Sequence, residues 1–305
     1  MRILVIGVAF SDIKGFPFGA FDPKGTNKGS VTVTHGGVAR NVAEDMANLG
    51  ADVAFETLLD DTPISWSIAE KLTGLGVDIS GAVRVQKNGV GMWLAVFDEN
   101  GELAGSISQM PDVEPLEKRL DAEGDALFSG ADAVVAEYDT SERIAEKACA
   151  LAKKHGKPLY AIVGNMSVIL ARPELMARTR CAIMNHFEAG KLFGCALDGL
   201  SPDDALTLIW AAGKSMGLPG VIVTLGPKGC VWADFIKGTC GAVPPKRCRV
   251  ADTTGAGDAF FSAAVMSLTR GDELKGACEI GTELAGRVIE STESACTREC
   301  RDIFD

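Results

Sequence analysis

The chain has 305 residues, 47% of them hydrophobic, and carries 30 Lys and Arg against 41 Asp and Glu, a net charge of −11. That length can bury one large core, and the acidic balance, with no basic stripe and few aromatic side chains, excludes a nucleic-acid binder. No run approaches the roughly 18 apolar residues that span a bilayer, which excludes a helical membrane protein.

In chain order the segments alternate between strand and helix patterns. Residues 1–7 read as a buried first strand that soon meets a charge at Asp12, too short an apolar run for a signal peptide. Val38, Val42, Met46 and Leu49 fall at helical spacing, and Gly50 stops that helix before a strand over 52–56. Helices are predicted over 63–73, 141–155 and 202–216, and the apolar runs 133–136, 159–163, 181–184 and 221–225 suit buried parallel strands. The alternation predicts an α/β fold, a layered sheet with helices, formed by a single domain over 1–305. Two segments depart from it. Residues 12–35 end in the alternating run 30–34, and residues 89–107 fold about Asp98-Glu99-Asn100-Gly101. Both are predicted as exposed strands, forming a small sheet over the site, with ordinary edge strands as the alternative.

The richest chemistry lies in Val250 to Phe261. Gly255 and Gly257 let the backbone turn with its N–H groups outward, and a helix from Ala259 adds its positive dipole end. Gly255, Ala256 and Gly257 can therefore hold a developing negative charge. Asp258, directly behind them, reads as a general base, because a carboxylate there repels a phosphate unless it takes a proton from an attacking hydroxyl. The alternative is a helix cap. Asp12 follows the first strand, where open α/β sheets place ligands, and can accept from two neighbouring hydroxyls. Gly36 and Gly37 permit close approach of a ring-shaped ligand, and Asn41, one turn on, offers both donor and acceptor. His35 reads as structural. The nine cysteines are odd in number and no secretory signal precedes them, which points to reduced thiols in a cytoplasm. Neither Cys240 and Cys248 nor Cys296 and Cys300 have a second pair or a histidine at zinc-ligand spacing.

Asp252 to Phe260, Asp-Thr-Thr-Gly-Ala-Gly-Asp-Ala-Phe, resembles the C-terminal signature of the ribokinase (PfkB) family of carbohydrate and nucleoside kinases. His35-Gly36-Gly37-Val38-Ala39-Arg40-Asn41-Val42-Ala43, ending at Leu49-Gly50, resembles the family's N-terminal Gly-Gly…Asn motif. The two stand in the family's order, and the likeness covers essentially the whole chain. It implies a ribokinase-like three-layer α/β/α fold with a mainly parallel central sheet, and a small β-sheet lid that often serves as a homodimer contact. The implied activity is ATP-dependent phosphorylation of a primary hydroxyl on a nucleoside or sugar, with Mg²⁺. Gly36, Gly37 and Asn41 would contact the sugar, as would Asp139, for which Glu137 is the competitor. Thr224, Gly226 and Gly229, in a Thr-Leu-Gly-x-x-Gly turn, would hold the phosphate and ribose of ATP. Asn185 would approach the phosphates while Glu188 orients Mg²⁺ through water; a helix cap with its N3 acid is the other reading of that pair. Asp252 and Thr254 resemble positions that bind a monovalent cation, commonly K⁺, with residues 291–297 supplying further oxygens. Asp252 can equally stabilise its own loop.

The stretch 22–31, which contains Asn27, and the run 36–44 look more like pseudouridine kinases than like ribokinase or fructokinases. The Arg40-Asn41 pair carries much of that preference, and residues 94–103 resemble the lid hairpin of the same subgroup. Pseudouridine, converted to its 5′-phosphate, is thus the expected substrate. Ribose, a ketose or another nucleoside is the first alternative. A non-catalytic nucleoside-binding protein is the second, and the retained Asp258 counts against it. A dinucleotide-binding oxidoreductase is set aside, since Gly7 is not followed by Gly-x-x-Gly. Two departures from the family stand out: Asp61-Thr62-Pro63-Ile64 replaces an acid-x-x-glycine turn, and Val163-Gly164-Asn165-Met166 replaces an Asp-Pro, leaving Asn165 as a substitute ligand on the nucleotide side.

Overall fold

Alternate side chains of the first strand build both faces of the central sheet. In β1 (Arg2–Ile6), Ile3 and Val5 enter one core and Leu4 and Ile6 the other, as the two-residue period of a strand requires. The computed structural model describes residues 1–304. After β1 come β2 (Phe10–Pro17), β3 (Gly29–Gly36), α1 (Val38–Asn48), β4 (Asp52–Glu56), β5 (Leu58–Leu59), α2 (Pro63–Leu75), β6 (Val83–Arg84), β7 (Gly91–Phe97) and β8 (Leu103–Gln109). Next are α3 (Glu114–Ser129), β9 (Ala133–Glu137), α4 (Glu142–His155), β10 (Leu159–Ile162), α5 (Ser167–Ala171), β11 (Ala182–Asn185), α6 (His186–Phe193) and α7 (Pro202–Ser215). The chain closes with β12 (Gly220–Thr224), β13 (Cys230–Asp234), β14 (Thr239–Val243), α8 (Ala256–Arg270) and α9 (Leu274–Ile289).

Parallel strands run in the order β10-β9-β1-β4, and a second set runs β11-β12-β13-β14, parallel at its first pair and antiparallel thereafter. The sets meet where Arg180 N donates to Leu159 O at 2.7 Å. Residues of α1, α2, α8 and α9 fill the core on one face, and residues of α3, α4 and α7 fill the core on the other. This is the layered α/β arrangement expected from the alternation. Boundaries moved little: α2 runs two residues past the predicted 73 and stops at Gly76, whose φ of 90° lies in the left-handed region that ends helices.

The two departing segments form one four-stranded sheet in the order β3-β2-β7-β8. β2 pairs antiparallel with β3 and parallel with β7, and β7 with β8 makes the hairpin. Its turn is held by Asp98, whose Oδ1 accepts from Asn100 N at 2.9 Å and Glu102 N at 2.8 Å, with Gly101 at φ 81°. Asp12 lies within β2, opposite Thr34 and Trp93, and the strand begins two residues earlier than the predicted segment, at Phe10.

The root of this sheet hangs on Asp60, buried between β5 and α2. Its Oδ2 accepts from Gly89 N at 2.8 Å and Val90 N at 3.2 Å, and its Oδ1 from Thr62 N at 3.1 Å. Burial alone pushes this carboxyl up, but the bonds from Thr62, Val90 and Gly89 outweigh it and hold it below the ordinary carboxylate range. Asp60→Ala is expected to lower the unfolding free energy by about 1–3 kcal/mol at neutral pH, measured by urea denaturation. A depressed folded pKa gives stability above the unfolded value that is lost in acid, so the difference from the native chain should shrink as pH falls through the carboxylate range.

Candidate active site

The first turn of α8 sets the site. Gly255 caps it at φ 79°, and a Cβ there would lie 2.0 Å from the carbonyl oxygen of Ser294, so glycine alone fits between the helix and the segment 291–297. The helix starts at Ala256, three residues before the predicted Ala259, because Gly257 takes helical backbone instead of extending the loop. Asp258 is therefore the third helical residue; Ala256 N turns back to Thr253 O at 3.3 Å, while the N–H groups of Gly257 and Asp258 have no partner within the helix, an arrangement that suits an anion.

Asp258 Oδ2 accepts from Asn41 Nδ2 of α1 at 2.6 Å. Burial pushes the Asp258 carboxyl up to about 6, against the opposing pull of the Asn41 bond and the Arg40 charge. Beside it opens a cavity of about 160 Å³, lined in part by Val38, Asn185, Glu188, Thr224 and Gly257, at the carboxyl ends of β10, β11 and β12. A wider, shallow depression of about 450 Å³ lies between α7 and β14, next to Trp210 and Cys240, and holds none of the motif residues.

Asn185 and Glu188 realise both of their readings at once. Asn185 Oδ1 caps α6 by accepting from Phe187 N and Glu188 N, each at 2.9 Å, while Glu188 Oε2 accepts from Asn185 N at 2.8 Å. Both also line the cavity. Burial pushes Glu188 up to about 7, and the charges of Asp139 and Asp258 add to that. Thr224 ends β12, and Gly226 (φ 58°) and Gly229 (φ 87°) close the turn after it, with Leu225 N bonded to Gly229 O at 2.7 Å. A Cβ on Gly229 would lie 2.1 Å from Val243 O.

On the small-sheet side, Gly37 sits at φ 94°, where a Cβ would approach Val8 O to 2.7 Å. A Cβ on Gly36 would lie 2.2 Å from Asp12 Oδ1, so the Asp12 carboxyl rests directly on Gly36. Burial raises Asp12, opposed by Lys14 and Arg40. His35 bonds Ser67 Oγ through Nε2 at 3.0 Å, in keeping with a structural role.

Several predicted residues face elsewhere. Asn27 closes its own loop: its Oδ1 accepts from Asp22 N at 2.9 Å and its Nδ2 donates to Asp22 O at 2.8 Å. Asp139 Oδ2 accepts from Gly164 N at 2.7 Å and Met166 N at 3.0 Å, which organises the 163–168 turn. Its competitor Glu137 is held at the other side of the same strand end. Glu137 Oε2 accepts from Val8 N at 2.9 Å, and burial, with Asp139 and Asp258 nearby, pushes its carboxyl up to about 7. Asn165 accepts from Ser167 N at 2.8 Å in a local turn. Asp252 Oδ1 accepts from Thr254 N at 2.8 Å, a bond that lowers its pKa, and neither residue lines the cavity.

Sequence reasoning missed the polar face of α1. Arg40 is 1% exposed and donates from Nε to Gly36 O at 3.3 Å, from Nη2 to His35 O at 2.8 Å, and also to Asn41 Oδ1 and the Glu44 carboxylate. Lys71 reaches the other Glu44 oxygen at 2.7 Å. Asp45, 0% exposed, accepts from Cys296 N at 2.7 Å. Polar residues at 40, 44, 45 and 48 share one helical face that, from sequence, looks solvated.

Among the described residues no group of three or more His, Cys, Asp or Glu converges to hold a metal ion.

The chain matches the pfkB family carbohydrate kinase pattern over residues 2–299. It is 34% identical over 301 residues to guanosine-inosine kinase of Exiguobacterium acetylicum, covering 99% of this chain and 98% of that protein. Identity to pseudouridine kinase of Escherichia coli is 24% over 260 residues, covering 85% and 81%. Among solved structures, Arabidopsis thaliana ribokinase complexed with ribose and ATP superposes with a TM-score of 0.83 at 20% identity, covering 100% of this chain and 98% of that one. That likeness is of the fold, ribokinase-like α/β with a small mixed sheet.

Gly255→Ala tests the geometry of the cradle. The left-handed backbone alone should cost about 1–2 kcal/mol, and the overlap with Ser294 adds to it, lowering the denaturation midpoint. An unchanged midpoint would mean that 291–297 does not pack on the helix start.

Proposed function

We propose that this chain, which belongs to the pfkB family of carbohydrate kinases, transfers the γ-phosphoryl group of ATP to the 5′-hydroxyl of a ribonucleoside, with a purine nucleoside such as guanosine or inosine as the first choice. The observation that carries the reaction is Asp258, a carboxyl raised to about 6 at the head of free helix N–H groups. Such a group is a base matched to neutral pH beside a cradle for anionic oxygen.

In the proposed step Asp258 takes the proton of the 5′-hydroxyl as its oxygen bonds the γ-phosphorus. The bond from phosphorus to the β,γ-bridging oxygen breaks, and that electron pair leaves with ADP. The amides of residues 255–258 bear the charge of the transferring group, Asp12 and Asn41 hold ribose hydroxyls over Gly36 and Gly37, and Thr224, Gly226 and Gly229 shape the nucleotide side. The small sheet acts as a lid that excludes water, so that ATP is not hydrolysed instead. Mg²⁺, when bound, would neutralise phosphate charge, with Glu188 and Asn185 holding it through water. Asp252, Thr254 and carbonyls of 291–297 would hold K⁺; the lowered pKa that keeps Asp252 ionised supports this.

The base preference rests on the relative named for guanosine and inosine, which is similar along almost its whole length. Pseudouridine remains the second reading, favoured by the Arg40-Asn41 pair. Asn27, tied into its own loop, gives that reading less support than its sequence context suggested. Nine free cysteines fit a reducing cytoplasm. A homodimer through the lid is supported by its outer face, where Val33, Ile13, Leu94 and Ile107 form a row across all four strands and Val31 and Ile107 are 71% and 69% exposed.

Four outcomes are expected. Asp258→Asn should lower kcat by about 10² to 10⁴ with little change in KM, in steady-state ADP release. Because the base acts ionised, kcat of the native enzyme should rise with pH through about 6. In a panel of guanosine, inosine, pseudouridine, uridine, ribose and fructose, kcat/KM should be highest for a purine nucleoside, and a free sugar at the top would overturn the substrate assignment. Ile107→Lys should turn a dimer into a monomer in sedimentation equilibrium, whereas a monomeric native chain would end the dimer proposal.

A further inference from the structure

We propose that Arg40 is a positioning residue for phosphoryl transfer: it fixes the amide of Asn41 so that its NH₂ end faces Asp258, and its buried charge holds that carboxylate ready to accept a proton. The proposal rests on the reading of Asp258 as the base. An Asn amide has an acceptor end and a donor end, and only the donor end stabilises a carboxylate. With an Arg40 N–H on Asn41 Oδ1, the amide cannot turn over without setting an N–H against an N–H. The donor end is thereby committed to Asp258.

The same guanidinium grips the root of the lid. Its Nε donates to Gly36 O and its Nη2 to His35 O, the two residues that carry β3 into α1. Asp12 on β2 and Asp258 on α8 both lie within its field. One buried cation therefore stands between the carboxylate expected to hold the sugar and the carboxylate expected to take its proton.

The charge balance shows why the cation is needed. Asp258 is faced by Arg40 and Asp45 from α1, by Glu137 from β9 and by Glu188 from α6. Burial works against ionisation of Asp258, while the Asn41 bond and the Arg40 charge work for it, and an ionised Asp258 in turn raises Asp45, Glu137 and Glu188. Glu44 would cancel Arg40, but it is shared with Lys71 at 2.7 Å. Lysine cannot substitute, since a single ammonium cannot reach Gly36, His35, Asn41 and Glu44 with the fixed fork of a guanidinium.

The test is the pH dependence of kcat for the native enzyme, Arg40→Gln, Arg40→Lys and Asp258→Asn, each first checked for folding by circular dichroism. Removing the cation raises the Asp258 pKa, so the acid limb of R40Q should move upward by about one pH unit or more, with kcat at about pH 7 falling about twofold for a one-unit shift and about tenfold for a two-unit shift, and recovering at higher pH. R40K retains charge but loses the fork; its acid limb should move less than that of R40Q while kcat stays at least about tenfold low across the range, by the same scale. A folded R40Q whose kcat drops equally at every pH, with the limb unmoved, assigns Arg40 a merely structural role and overturns the proposal. If R40Q does not fold, native kcat in R40K overturns it instead. Near-native turnover in D258N would sink the base reading itself, whereas an inactive D258N with an unmoved R40Q limb removes only the role of Arg40.

Discussion

The architecture of the site depends on a polar helix face that is kept out of water. One side of α1 is ordinary core, with Ala39, Val42, Ala43 and Met46 packed on the central sheet. The other side carries Arg40, Asn41, Glu44, Asp45 and Asn48, all buried. Burying such groups is costly unless each finds a partner, and breaking one member of a buried charged pair typically costs about 3–5 kcal/mol. The partners are what assemble the site. Arg40 takes the carbonyls of His35 and Gly36 at the root of the small sheet, Asn41 takes Asp258, and Glu44 takes Lys71 of α2. Asp45 accepts from Cys296 N and Asn48 Nδ2 donates to Cys296 O at 2.7 Å, which draws the segment behind Gly255 against the same helix. Burial pushes the Asp45 carboxyl well above the ordinary carboxylate range, against the opposing bond from Cys296 N.

A second constraint follows from charge. Asp258, Glu137 and Glu188 have carboxyls pushed up to between about 6 and about 7, from separate elements around one cradle of helix amides. Burial is the leading cause for each, and the charges of Asp139 and Asp258 add to it for Glu137 and Glu188. A site of this kind favours a cation near the phosphates and a proton on whichever acid is least supported. Asp258 differs from the other two in its partner: Asn41 donates to it from a side chain locked by Arg40, while Glu137 and Glu188 accept from backbone N–H groups.

Much of this was legible in the sequence because it is local. Alternating patterns gave the sheet and helices, the Asn100-Gly101 turn gave the lid hairpin, and Gly255 to Asp258 gave the cradle and its acid. What was not legible depended on tertiary contact. The start of α8 at Ala256 could not be read because glycine suits loop and helix alike, and packing against Ser294 decides between them. The partners of Asp12 could not be read because the strand holding it pairs with β3 and β7, and its carboxyl rests on Gly36 only in the fold. Asp139 and Glu137 were rivals because both stand at the end of β9, and only the fold shows one organising the 163–168 turn and the other bonded to Val8, just past β1. The buried polar stripe of α1 was not legible because burial of charge cannot be inferred from periodicity.

The central claim is that the Asp258 carboxyl titrates close to neutrality in the folded enzyme. Its most direct measure is difference infrared spectroscopy of the carboxylate bands against pH, native enzyme minus Asp258→Asn, with uniformly Asp-labelled (¹³C carboxyl) protein so that the Glu137 and Glu188 bands, which the Asp258 charge also shifts, stay apart from the aspartate band. A band that ionises with a midpoint near 6 is the result the structure predicts. Ionisation complete below about pH 4, as for a solvated aspartate, would contradict it.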